Sequence, residues 1–296
     1  MKRISALFLI FILLCLCVGC SENTTEEPQT VFSPEALEIL SDFDQKTDWD
    51  NTATKIGLDD GEITVEGEGA VADENTVTIS AEGTYILSGT LSNGTVVIDA
   101  AKTDKIHLIF NGVRISSKTT APVAIFSADK VVITLAEGSE NTLSDITRPY
   151  RAENEDEVAS ACLYAEDDLT VNGTGSLAVE AANNGIGGKN DVRICGGTVQ
   201  INAVNNGLKG KDSVVIAGGT LSVRAGKDGI KSDNETEEGR GTVHICGGET
   251  SVTAKDDGIQ AFTEIKITSG DVHIQAEDKK LNCDGEIVLN EGYHFD

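Results

Sequence analysis

From Lys55 onward the chain is a succession of short apolar runs separated by Gly, Asn and Asp. Glu62-Ile63-Thr64-Val65, Val77-Thr78-Ile79, Tyr85-Ile86-Leu87, Val96-Val97-Ile98 and Ile106-His107-Leu108-Ile109 are each of strand length. No helical periodicity of useful length accompanies them, so β-strands are predicted throughout. Upstream the pattern differs. Ser33-Pro34-Glu35 reads as N-cap, N1 and N2 of a short helix reaching about Phe43, with Ala36, Leu37, Ile39, Leu40 and Phe43 on its apolar face. This helix is expected to pack over one end of the fold.

The strands repeat. Asn184-Gly185-Ile186, Asn206-Gly207-Leu208 and Asp228-Gly229-Ile230 recur at a spacing of 22. Asp257-Gly258-Ile259 follows after 29, with seven extra residues around Ser232–Glu238. Gly196-Gly197, Gly218-Gly219 and Gly247-Gly248 each precede a short strand, and Ile194, Ile216, Ile245, Ile267 and Leu289 share one column. A second insertion, Ser144–Glu157, interrupts the earlier units. A fixed period with one apolar column per unit means that each unit packs on its neighbours. Leucine-rich, nonapeptide and hexapeptide repeats are excluded by consensus or period. The expected fold is all-β: a parallel β-helix, a solenoid of about 22 residues per three-sided turn, with units stacked roughly 4.8 Å apart.

Composition sharpens this picture at three points. Lys and Arg number 23 against 49 Asp and Glu, a formal net charge of −26, which sets the chain against nucleic acid and anionic lipid as partners. Thirty-one Gly against four Pro suit tight turns within regular structure. The amino terminus carries Lys2 and Arg3, then an apolar run from Ala6 to Val18 that is too short to span a bilayer but of signal-peptide length. It ends in Cys17-Val18-Gly19-Cys20, similar to a bacterial lipobox, which predicts lipidation of Cys20. The expected organisation is a lipoprotein signal peptide over 1–19, a tether and short helix over 20–48, and the β domain over 49–296. The chain is expected outside the cytoplasm, held at the cell surface by its lipid.

Of the remaining cysteines, Cys195 and Cys246 share a column two units apart, about 9.6 Å at strand spacing, with Ala217 between them. A disulfide needs Cα atoms within about 7 Å. Cys162 and Cys283 fall in other columns, so four free thiols are expected, acting as small apolar residues.

The candidate chemistry lies along one edge of the repeats. Asn184, Asn206, Asp228 and Asp257 form a column before the Gly, preceded by Asn183, Asn205, Lys227 and Asp256. After the apolar residue come Gly187, Lys209, Lys231 and Gln260, with Lys189 and Lys211 two places on. Asn stacks in such turns hydrogen-bond along the column. Asp228 above Asp257 would repel without a cation or Lys between them, and Ca²⁺ takes about six to eight oxygen ligands. Asp228, Asp233, Asp256 and Asp257 are therefore the candidate metal ligands. Lys209, Lys211, Lys231 and Asn206 are the candidate carbohydrate-binding residues. No catalytic group is assigned. None of His107, His244, His273 and His294 is paired with a Ser or Cys nucleophile, and His244 and His273 alternate with apolar residues as if facing solvent. Asp167-Asp168 and Asp256-Asp257 are commonplace in so acidic a chain, and Arg193 and Arg224 show no Asp partner.

A family resemblance rests on these residues. Thr84-Tyr85-Ile86-Leu87-Ser88-Gly89-Thr90-Leu91, Val96-Val97-Ile98-Asp99-Ala100 and Leu108-Ile109-Phe110-Asn111-Gly112-Val113 resemble the opening of a bacterial carbohydrate-binding family similar in fold to pectate lyases. Asp129–Gly138 with Asn141-Thr142-Leu143, and the later Asp/Asn-Gly-Ile/Leu-Lys units, carry the same resemblance, which covers roughly 49–290. It implies a right-handed parallel β-helix with bound Ca²⁺ that binds cellulose or an acidic plant polysaccharide such as polygalacturonate, without established lyase activity. Asp-Gly-Ile-Lys is cleanest at Asp228–Lys231 and degrades to Asp257-Gly258-Ile259-Gln260 and Lys279-Lys280-Leu281.

Aromatic platforms are scarce: Tyr164 and Phe262 are the rings in turn-like places of the repeats, and Trp49 lies before them, which favours an acidic sugar held through Lys and Ca²⁺. The expectation is a monomeric, non-catalytic lipoprotein that binds polygalacturonate or pectin with the help of Ca²⁺, with cellulose as the other candidate ligand. Its rivals are a calcium-dependent pectate-lyase-like enzyme and a structural adhesin without a sugar site.

Overall fold

The computed structural model describes residues 31–149, 159–290 and 293. The signal segment 1–19, Cys20, the tether as far as residue 30, part of the Ser144–Glu157 insertion and His294 lie outside the described residues.

Among the described residues, twenty-five strands follow one short helix, all numbered in chain order. Ten of them are β7 (Lys105–Ser116), β9 (Lys130–Leu135), β12 (Asp168–Gly173), β15 (Asp191–Ile194), β18 (Ser213–Ile216), β21 (Thr242–Ala254), β19 (Thr220–Ala225), β16 (Thr198–Ala203), β13 (Ser176–Ala181) and β10 (Glu140–Ser144). Each pairs in parallel with the next in that order, and β10 pairs in parallel with β7 again. Five further strands extend this fifteen-stranded sheet: β1 (Thr54–Leu58), β2 (Thr64–Glu66), β5 (Gly83–Leu91), β23 (Glu264–Ala276) and β25 (Glu286–Leu289).

The chain is all-β as predicted, but the open β-helix solenoid is corrected: hydrogen bonding closes into a ten-stranded parallel barrel with added strands. Two long strands close it. In β7, Ile106–Phe110 pair with β9 and Arg114–Ser116 with β10; in β21, Thr242–Ile245 pair with β18 and Glu249–Ala254 with β19. Gly112 (φ 79°) and Gly248 (φ 75°) lie at the two bends. Glycine at positive φ turns a strand through a corner without ending it. In sequence the same glycines look like breaks between separate strands.

A second sheet of ten strands lies beside the barrel, ordered β24 (Leu281–Cys283), β22 (Ile259–Ala261), β20 (Ile230–Ser232), β17 (Leu208–Gly210), β14 (Asn184–Gly188), β11 (Ala161–Ala165), β8 (Val123–Ser127), β6 (Thr95–Asp99), β4 (Thr76–Ile79) and β3 (Ala70–Asp73). All its pairings are parallel except β3 with β4. Ile186, Leu208, Ile230, Ile259 and Leu281 face one another in register along it. Buried Val, Ile and Leu of both sheets meet in one continuous core. The repeated glycine after Asn or Asp serves that packing: a Cβ on Gly207 would stand 2.1 Å from Val223 Cγ1 and 2.6 Å from the Gly229 carbonyl oxygen.

The helix, α1 (Pro34–Ile39), begins as predicted, with Ser33 Oγ accepting the Ala36 N–H at 3.1 Å. It stops four residues early because Asp44 Oδ2 takes the Ser41 N–H (2.8 Å) and hydroxyl (2.6 Å), a local turn that competes with helix. Ala36 and Leu40 are buried against Cys195, Val215, Ala217 and Cys246, so the helix covers the flank of the barrel, while Leu37 is exposed. Cys162, Cys195, Cys246 and Cys283 are free, Cys283 being only partly buried.

The strap from Ser33 to Lys46 is fixed by buried polar groups. Both Asp44 carboxylate oxygens lie 2.9 Å from Lys130 Nζ, and Thr170 Oγ1 donates to Asp44 at 2.6 Å. Asn172 Nδ2 donates to the Asp44 and Lys46 carbonyls. Burial alone would raise the Asp44 carboxyl, but hydrogen bonds from Ser41, Thr170 and Lys130 hold it below the usual carboxylate range. Next to this network, His107 is buried, with Nε2 2.8 Å from Thr134 Oγ1 and its ring against Phe43. Burial, and secondarily the charge of Lys46, pushes His107 down to about 4.

Two expectations about single residues change. Arg193 is doubly paired, to Asp168 at 2.9 Å and Asp191 at 2.6 Å. His244 is covered rather than solvent-facing, 3.5 Å from Glu35 of the helix, whereas His273 is exposed as expected.

Candidate functional site

The Asn/Asp column is a ladder of side chains running across the second sheet. Asn184 Oδ1 accepts from the Asn206 N–H (3.2 Å) and from its Nδ2 (3.1 Å). Asn206 Oδ1 accepts from the Asp228 N–H, and Asp228 Oδ1 from the Asp257 N–H, each at 3.3 Å. Asp257 Oδ1 then accepts from the Lys279 N–H at 3.2 Å. Each side chain thus satisfies a backbone donor of the following unit, as the stacked-Asn expectation requires. It also orients the positions on either side of it.

Beside the ladder lies a groove of about 480 Å³ whose lining includes Lys189, Lys209, Lys211, Lys227 and Lys231. Tyr164 forms one wall, and Asp233 is its one carboxylate among the described residues. Lys209 and Lys231 face each other in register on β17 and β20. Three of the lysines already hold an acid: Lys189 with Glu166 (3.0 Å), Lys209 with Asp233 (2.8 Å) and Lys231 with Asp228 (2.8 Å). The hydrogen bond from Lys189, with one from the Tyr164 hydroxyl, outweighs burial and lowers the Glu166 carboxyl. Lys189 also stands 6.0 Å from the Tyr164 ring centroid, within cation–π range. Lys211 and Lys227 have no ion-pair partner among the described residues. Five lysines thus line one concavity in a chain of net charge −26, three of them paired with acids and two without an ion-pair partner among the described residues.

All four predicted carbohydrate-binding residues, Lys209, Lys211, Lys231 and Asn206, line this groove. Asn206 is buried, with its amide engaged in the ladder. Of the predicted metal ligands, Asp228, Asp256 and Asp257 come together, with one carboxylate oxygen of each within 4.8 Å of the others. Asp233 stands apart from them, on Lys209. The charges of Asp228 first, then Asp257 and Asp278, together with slight desolvation, raise the exposed Asp256 carboxyl. Three hard oxygen donors suit a cation such as Ca²⁺ in kind. Asp228 Oδ2 meanwhile holds Lys231, and Asp257 Oδ2 accepts from Asn282 at 2.6 Å. Lys189 and Lys227, on the same edge in the sequence but not assigned a binding role there, occupy the repeat phases of Lys211 and Asn205.

A second depression, of about 660 Å³, lies along an alanine column (Ala181, Ala203, Ala225, Ala254, Ala276) at the other edge of the repeats. Among the described residues its lining has no aromatic ring, and its charges are of both signs.

A family described as carbohydrate-binding domain-containing protein matches residues 73–293. A protein of that description from Acetivibrio thermocellus is 39% identical over 147 residues, 49% of this chain and 51% of the relative. The match thus spans about half the length of that curated relative. The solved structure of a polysaccharide lyase-like protein from C. thermocellum, in a gadolinium derivative, is similar with a TM-score of 0.77. It is 38% identical, and the match covers 81% of this chain and 98% of that one.

Proposed function

Since the chain belongs to the carbohydrate-binding domain-containing protein family, we infer that its lysine groove binds an acidic polysaccharide, of which polygalacturonate or pectin is the model. The observation that carries this reading is the convergence of five lysines on one concavity, two of them without an ion-pair partner among the described residues. Carboxylates spaced along a polymer would meet Lys211 and Lys227 first and then compete for the paired lysines. Each such pair at a partly exposed site contributes roughly 0.2–1 kcal/mol, so affinity comes from several acting together. With Tyr164 as its one aromatic wall among the described residues, the groove favours charged sugar over cellulose, which needs stacking surfaces.

In the same reading Ca²⁺ is held at Asp228, Asp256 and Asp257, where it would relieve the repulsion that raises Asp256. Cys20 carries a lipid that keeps the groove at the cell surface. The protein is taken as a binder with no catalytic step; the lyase-like description belongs to the similar structure.

The test is binding of the chain from Ser21 onward to polygalacturonate at low and high salt, with Ca²⁺ and with EDTA, reading the same samples for unsaturated product. Salt-sensitive binding without product supports the proposal. Binding unchanged by EDTA would remove Ca²⁺ from it. Unsaturated product would move the protein among the lyases, and absence of binding at low salt would overturn the reading.

A further inference from the structure

Among the units that carry Asn-Gly or Asp-Gly, the one that begins at Asp228 is longer than its neighbours, and its extra residues sit on the groove. Between β17 and β18 the chain spends two residues, Lys211 and Asp212; between β20 and β21 it spends residues 233–241. The added loop is held at both ends. Asn234 is fully buried, its Nδ2 donates to Asp212 Oδ1 at 2.7 Å, and its Oδ1 accepts from the Thr236 N–H, the Thr236 hydroxyl and the Glu237 N–H. Asn234 N–H donates to the Lys211 carbonyl and Gly241 N–H to the Asp212 carbonyl. Arg240 folds back to Asp191 (3.4 Å) and Asp212 (3.7 Å). These bonds fix the root of the loop, and Asp233 is the residue immediately before Asn234. Its carboxylate lies 2.8 Å from Lys209 Nζ, inside the groove, with both side chains about one-third exposed.

We propose that Asp233 is a specificity-determining residue: a built-in carboxylate that occupies Lys209 until a ligand's carboxylate displaces it. The inference rests on the lysine groove being the binding site. Replacing one carboxylate by another at Lys209 is close to an even exchange, so a single acidic sugar gains little there. A polymer that also reaches Lys211 and Lys227, which have no such competitor among the described residues, gains at those positions and can displace Asp233. The groove thereby rejects monomeric uronic acids and small anions more strongly than it rejects chains. The neighbouring acids Glu235 and Glu238 are exposed and form no ion pair among the described residues, so they serve as controls.

The experiment compares wild type, Asp233→Asn, Glu235→Gln, Lys209→Met and the double variant Asp233→Asn/Lys209→Met. Each is titrated with galacturonate monomer and with oligogalacturonate in Ca²⁺ and in EDTA, after thermal melts have confirmed folding. Asp233→Asn is expected to tighten monomer binding about two- to fivefold, the range of an exposed ion pair, and to narrow the preference for oligomer over monomer. Glu235→Gln is expected to change neither, and Asp233→Asn is expected to have no effect once Lys209 is Met. Weaker binding by Asp233→Asn, above all if seen only with Ca²⁺, would make Asp233 a ligand for the cation or the sugar and overturn the proposal. An equal gain from Glu235→Gln would reduce it to a general charge effect and overturn it too. If wild type binds no oligomer at low salt in either buffer, the binding reading fails first, and the outcome is recognisably different.

Discussion

The strap-covered flank and the lysine groove use the same chemistry, Lys and Arg against Asp, to opposite ends. On the flank, Lys130 and Asp44 are nearly excluded from water, and Thr170, Ser41 and Arg193 complete their surroundings. In the groove, cations outnumber the acids that reach them among the described residues, and Lys209 and Asp233 are both about one-third exposed. A saturated network locks one chain segment in place. An unsaturated one leaves charge for a partner. Ion pairs alone do not distinguish a site from a scaffold; the balance of donors to acceptors and access to water do.

Three perturbations test this contrast. The largest effect is expected from Asp44→Ala, which leaves Lys130 with only Asp168 at 3.7 Å and Thr170 without its acceptor. Breaking a buried pair should cost about 3 kcal/mol in urea unfolding, with polygalacturonate affinity retained. A loss below about 1 kcal/mol would show that the strap is dispensable and the contrast overstated.

The second is pH. His107 titrates at about 4 when folded, below its unfolded value near 6.5. The unfolded chain therefore binds the proton first as pH falls, so this stability is complete above about 6.5 and is lost on the way down towards 4. Between pH 7 and pH 5 the loss should be about 2 kcal/mol, and His244, lowered by burial against the helix, acts in the same direction. Equal urea midpoints at the two pH values would contradict the buried, neutral His107.

The smallest effect in free energy is the most specific. Lys211→Ala with Lys227→Ala should leave the unfolding free energy within about 0.5 kcal/mol while weakening oligogalacturonate binding about tenfold by calorimetry. Unchanged affinity would leave the groove without Lys211 and Lys227 as anchors, and the contrast with the flank would collapse.

What the sequence disclosed, and what it hid, follows the same division. The 22-residue offset, the Asn/Asp column and Lys209, Lys211 and Lys231 were legible because parallel neighbours place equal phases side by side. The free cysteines followed from the same stacking. The ring closure was hidden, because Gly112 and Gly247-Gly248 bend strands that the apolar pattern reads as ending there. Arg193 faces Thr170 in register, so its acids, Asp168 and Asp191, lie off its column and were missed. The cover over His244 depends on a helix some 200 residues away in sequence, and no local pattern foretells such a contact. Asp233 was grouped with the other acids by proximity in sequence, whereas the anchored loop delivers it to Lys209.

The side-chain ladder has a direction. Every member offers an oxygen forward and a backbone N–H backward, so each unit is complementary to a copy of itself. A duplicated 22-residue segment spliced between two existing ones would find both partners waiting, and would bring another Lys-bearing strand to the groove. The length of the binding surface can thus grow by whole modules through tandem duplication, with no new contact having to be invented.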